Sequence, residues 1–132
     1  EKPERSPAEV DEMVHATHAS LYHWSKAAES TTANLARGEW QCARVYSVLG
    51  RGEPALWHAQ RCLDLVEAAE AEGVAEDWDR AGAYEALARA HATAGDRASA
   101  ERWRDRAKDA IAKVKNPLDR EPIAQDIETL PI

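Results

Sequence analysis

The sequence predicts an all-α protein: antiparallel helical hairpins stacked as a short right-handed array of about six helices. Three observations carry that expectation. Apolar and small residues recur every three or four positions along most of the chain, which is the spacing of helix faces. Hydrophobic residues make up 44% of the 132 positions and phenylalanine is absent, so the core must close through small side chains and a few Trp, Tyr and Leu. That alanine-rich, β-branched-poor composition favours helix. Finally, the pattern around Gly50 returns around Gly95, an offset of 45 (95 − 50), as stacked helical units require.

Residues 1–5 read as a disordered lead-in and 6–132 as a single domain, long enough to bury a core without staples. Ser6-Pro7-Ala8-Glu9 is a helix start, with Ser6 to cap, Pro7 at the first position and Glu9 to complete a capping box. The first helix, about 7–29, carries Val10, Val14, Thr17, Leu21, Trp24 and Ala28 on one side. Ser30-Thr31-Thr32 breaks the pattern and caps a second helix, about 33–49, with Leu35, Cys42, Tyr46 and Leu49 on one face and Gly38 allowing close approach. Gly50-Arg51-Gly52 ends it. Pro54 starts a third helix striped by Ala55, Ala59, Cys62, Val66 and Ala69 and closed at Gly73. The first hairpin thus spans about 33–72.

A second hairpin spans about 77–115. Asp77 is the expected N-cap of the fourth helix and Asp79 adds negative charge to its first turn. Ala81, Tyr84, Leu87, Ala88 and His91 form its buried face. Gly95-Asp96 turns the chain into a fifth helix with Ala100, Trp103, Ala107, Ala110, Ile111 and Val114 on one stripe. Asn116-Pro117 stops it. A last short helix, about 119–130, brings Ile123, Ile127 and Leu130 to one face, with Pro122 confined to its first turn. The first and last helices then cap the two ends.

Charge and composition narrow the partners. A net charge of −7 works against a phosphate-tracking surface, so nucleic acid is not an expected partner. No run approaches the roughly 18 apolar residues of a membrane span, and no signal-peptide pattern opens the sequence. Cys42 and Cys62 lie inside apolar stripes and read as buried thiols of a reducing, cytoplasmic protein.

In the stretch from Tyr84 to Ala107, small residues Ala88, Ala100 and Ala107 fall where two helix backbones approach, with Gly95-Asp96 at the turn. This hairpin resembles the tetratricopeptide repeat (TPR). The first hairpin keeps Tyr46, Gly50 and Ala55 but has Arg51 where the turn aspartate belongs. The second departs from the pattern at His91, where the family has an aromatic. The repeat of 45 exceeds the usual length of about 34, so the helices are long. The resemblance covers about 33–114. Arg-Gly-Glu-Trp and Ala-Arg-Val-Tyr also resemble stretches of actinobacterial TPR-like proteins, which implies no activity. The family mostly makes binding scaffolds.

Under that resemblance the groove-lining positions are Arg37, Trp40, Arg44, Ser47 and Val48, then Gly82, Glu85, Arg89, Ala92 and Thr93. Arg37, Arg44 and Arg89 make a local positive patch with Trp40 as an apolar wall, a surface for a protein partner or acidic peptide. The bland counterpart is pairing of these arginines with Glu29, Glu39 and Glu85. A second reading comes from the first helix, where Asp11, His15, His18 and Tyr22 share a stripe. With His58 from elsewhere, Asp11, His15 and His18 could ligate zinc or iron in a metal-binding helical protein, including a hydrolase. Its bland counterpart is histidines hydrogen-bonded to neighbouring helices. The absence of HExxH, of a phosphate loop and of a strained nucleophile turn points away from an enzyme, and no catalytic residue is assigned. Apolar surface at the array ends makes a homodimer a third reading.

Overall fold

The computed structural model describes residues 4–27 and 30–132. The expected stripe residue Ala28, the candidate pairing residue Glu29 and residues 1–3 of the lead-in lie outside them. Six helices follow one another: α1 (Pro7–Lys26), α2 (Thr32–Val48), α3 (Gly52–Glu72), α4 (Asp79–Thr93), α5 (Arg97–Ile111) and α6 (Pro117–Glu128). Among the described residues there is no strand. The protein is an all-α array.

Local chemistry explains the boundaries. Ser6 and Glu9 form the expected capping box at the start of α1, with Pro7 behind it. Thr31 and Asn34 form a second box at α2. Asp96 caps α5 by accepting from the Ser99 N–H. Helix ends use glycine: Gly50, Gly73 and Gly95 have φ of 76°, 76° and 87°, a left-handed conformation open to glycine at little cost.

Two boundaries differ from expectation. The N-cap of α4 is Trp78, and Asp77 instead accepts from the Lys115 N–H, tying down the loop before α6. The first-turn Asp79 folds back to accept from the Glu76 N–H ahead of the helix, so among the described residues no side chain caps α4. At the other end, Asn116 caps α6 from Pro117. Pro122 therefore sits in the second turn rather than the first, and it cannot donate to the carbonyl four residues back.

Packing follows chain order. α1 lies on α2, α2 pairs with α3, α3 with α4, α4 with α5, and α6 packs on α5 and α4, while α2 and α4 also touch directly. The α3 stripe is as expected: Ala55, Ala59, Cys62, Val66 and Ala69 are all buried. On α2 the core face is rotated from the expected one. Ala33, Ala36, Cys42 and Ala43 are buried, whereas Leu35, Tyr46 and Leu49 are half-buried. Alanines leave helices close enough to touch backbone to backbone, so the small residues and not the large ones mark the interface. A second cluster joins Ala88, Ala107, Ile127 and Leu130, and Tyr84 and Trp103 pack against both clusters with their rings 5.5 Å apart. His91, expected buried, is half-buried beside Asp96.

Gly52 marks the closest approach. A Cβ there would stand 2.7 Å from Ala94 Cα, whereas one on Gly38 would meet only the end of the Leu21 side chain, at 2.8 Å. Backbone cannot step aside and a leucine methyl can. Gly52→Ala should therefore destabilise the fold by about 1–3 kcal/mol. Gly38→Ala should cost clearly less, both read by urea denaturation.

Candidate functional site

The face shared by α2, α4 and α6 carries a cleft of about 440 Å³. α2 contributes Ala36, Arg37, Trp40 and Gln41, and α4 contributes Asp79, Gly82, Ala83 and Glu85. Cys62 and Val66 of α3 form its floor, Trp78 one wall, and Pro122, Ile123 and Asp126 of α6 the other. Its lining is mostly apolar because α4 presents Gly82 and Ala83 where a bulkier residue would fill the space. A Cβ added at Gly82 would have nothing within 4 Å.

Polar groups around the cleft are tied to one another. Arg37 donates from Nε and Nη2 to the two oxygens of Asp79, at 3.0 and 2.8 Å, and lies over the Trp78 ring at 4.5 Å. This bidentate pair raises the Arg37 pKa further and fixes the guanidinium plane. Glu85 is 1% exposed. Its Oε1 accepts from Trp40 Nε1 at 3.2 Å and its Oε2 from Arg89 Nε at 2.8 Å. Burial pushes the Glu85 carboxyl above the ordinary glutamate value, with Arg89 pulling the other way.

α6 is held by the remaining two arginines. Arg89 Nη2 donates to the Asp126 carbonyl at 2.9 Å and to Thr129 Oγ1 at 3.2 Å, a cation placed at the C-terminal end of α6. Arg44 Nη1 stands 3.4 Å from Asp126 Oδ1 and 4.0 Å from Glu85 Oε2 without a hydrogen bond, so that contact is Coulombic alone.

The six expected partner-binding residues thus divide. Arg37, Trp40 and Glu85 meet at the cleft, while Arg44 and Arg89 hold α6. Ser47 has a buried hydroxyl with no hydrogen-bond partner among the described residues and does not line the cleft. The expected positive patch is answered within the chain: Asp79, Glu85 and Asp126 face Arg37, Arg89 and Arg44. Of the acidic partners foreseen for the arginines, Glu85 takes that role and Glu39 does not. Glu39 accepts instead from His58 Nδ1 at 2.6 Å and faces Arg61.

The four candidate metal ligands are divided too. Asp11 and His15 are exposed on α1. His18 bonds Tyr46 Oη at 2.9 Å, with its ring 5.4 Å from that of His58, and Tyr46 stacks on His58. Among the described residues no group of three His, Cys, Asp or Glu side chains is placed to hold a metal ion. Cys42 and Cys62 are buried and unpaired, and burial pushes both thiols up, which keeps them protonated and unreactive.

No family model, curated protein or solved structure matches the chain. Asp79, Trp78, Val66, Ile123 and Asp126 were not foreseen at the site. One signal was present: Trp40 and Glu85 are 45 residues apart, the repeat offset itself, so equivalent positions of adjacent hairpins stand side by side.

Arg89→Ala leaves the buried Glu85 charge without its main partner and should cost about 3–5 kcal/mol. Arg44→Ala should cost about 1 kcal/mol or less, as read by denaturant titration. The pH dependence has a definite sign. A folded pKa above the unfolded one means the native state holds the proton more tightly, so stability from Glu85 is full below the unfolded value and is lost as pH rises through the folded one. Lowering pH from neutrality towards 4.5, the ordinary glutamate value, should therefore stabilise the wild type relative to Glu85→Gln. A melting-temperature difference independent of pH would contradict this.

Proposed function

We propose that the chain is a TPR-like interaction module that binds a partner polypeptide on the face formed by α2, α4 and α6. One observation carries the reading: an apolar cleft stands open on that face, at positions where two hairpins and α6 converge. An acidic segment is the proposed guest. Its apolar side chain enters the cleft between Trp40 and Trp78, and its carboxylate meets Arg37, whose side chain keeps 36% of its surface exposed. Arg44 and Arg89 support the face from behind by holding α6. A cytoplasmic setting accords with the two unpaired thiols.

The test is selection of binders from a random peptide display library, screened against the wild type and Gly82→Leu. A Cβ at position 82 meets nothing within 4 Å, the rest of a leucine enters the open cleft, and leucine favours helix over glycine by about 1 kcal/mol, so the variant is expected to fold. Selected peptides should be rich in acidic residues around one large apolar residue, and should lose binding to Gly82→Leu by about tenfold or more (~1.4 kcal/mol). Peptides that bind both proteins equally would sink the reading.

A further inference from the structure

We infer that the same cleft is a small-molecule site for a flat aryl carboxylate of about two fused rings, and that such a ligand controls partner binding by occupying the cleft. The inference rests on the cleft being the binding face.

Size and shape come first. A volume of about 440 Å³ falls in the range of roughly 300–1,000 Å³ typical of small-ligand pockets. The Trp40 and Trp78 indoles with Val66 and Ile123 give apolar walls suited to a planar body. Gly82 leaves the space between them clear.

The polar groups then choose the charge. A cation finds each carboxylate at the cleft already facing an arginine, Asp126 by charge alone. Arg37 already occupies the face of Trp78, Asp79 is bonded to Arg37 and to the Glu76 N–H, and Glu85 to Trp40 and Arg89. Asp126 faces Arg44. Gln41 brings a neutral amide to the cleft, and the unspent charged group there is a donor. Arg37 uses Nε and Nη2 on Asp79, and among the described residues its Nη1 makes no hydrogen bond. That amine belongs to a guanidinium already fixed by a ring beneath it and a carboxylate beside it, so little freedom is lost when it binds an acceptor. A carboxylate on Nη1 with its aromatic body between the indoles satisfies both the donor and the apolar walls.

The test compares 2-naphthoate with its neutral isostere 2-naphthamide and with the cation 2-naphthylmethylamine. Binding is measured by calorimetry, and the indole N–H signals of Trp40 and Trp78 are followed by NMR. Naphthoate should bind one to one, about tenfold tighter than the amide, as a charge-assisted hydrogen bond at a half-exposed site supplies. It should shift both indole signals, weaken in salt, fail with Gly82→Leu and displace a peptide selected on this face. Equal or tighter binding of the amide or amine overturns the carboxylate assignment, and no binding, or binding retained by Gly82→Leu, overturns the site. These outcomes are separable from the interaction reading. Selected peptides that need Gly82 keep that reading standing when naphthoate fails, and peptides indifferent to Gly82→Leu remove it whatever naphthoate does.

Discussion

The arrangement depends on one buried carboxylate. Glu85 sits in the middle of α4 with almost no exposed surface and draws in Trp40 from α2 and Arg89 from its own helix. Taking a carboxylate out of water costs several kcal/mol unless partners offset it. The structure supplies two hydrogen bonds and, as a third and looser partner, the Arg44 charge at 4.0 Å. The same arginines then reach on to Asp126 and Thr129, so the knot that satisfies Glu85 also sets where α6 lies. α6 in turn supplies one wall of the cleft. Charge in the core and shape at the surface are thus one construction.

That linkage explains how an acidic protein can carry three arginines on one face without a positive patch. Each guanidinium has a carboxylate opposite it, and all three carboxylates come from α4 or α6. Among the described residues Arg37, which lines the cleft, keeps one amine, Nη1, without a hydrogen bond. Recognition on this face is consequently governed by apolar fit, with one oriented donor for selectivity, rather than by bulk charge.

Much of the fold was legible because helix periodicity, caps and glycine stops are local signals. Ser6-Pro7-Ala8-Glu9 and Gly95-Asp96 specify their turns through neighbouring residues, and the structure follows them. The α3 stripe was legible because it is buried along one face only. α2 was less legible because the small Ala33, Ala36 and Ala43 mark its core side while the larger Leu35 is half-buried. The start of α4 failed for another reason. Asp77 is a good cap by type, but it accepts instead from the Lys115 N–H, 38 residues on, while Asp79 is held by Arg37, 42 residues away.

The site was legible in position but not in charge state. The repeat placed Arg37, Trp40 and Glu85 on one face, and they do meet there. Sequence spacing cannot show that Glu85 points inward, because an i, i+4 pair with Arg89 looks the same on a solvated surface. Asp126 and Ile123 lay beyond the two hairpins and entered only through the docking of α6.

The most direct measurement is an NMR titration of the Glu85 side-chain carboxyl carbon in the folded protein. A buried knot at the centre of the face predicts a midpoint clearly above the ordinary glutamate value, with the Trp40 indole N–H shifting along the same curve. A midpoint at or below that value, with Trp40 indifferent to it, would show Glu85 to be solvated and would contradict the account.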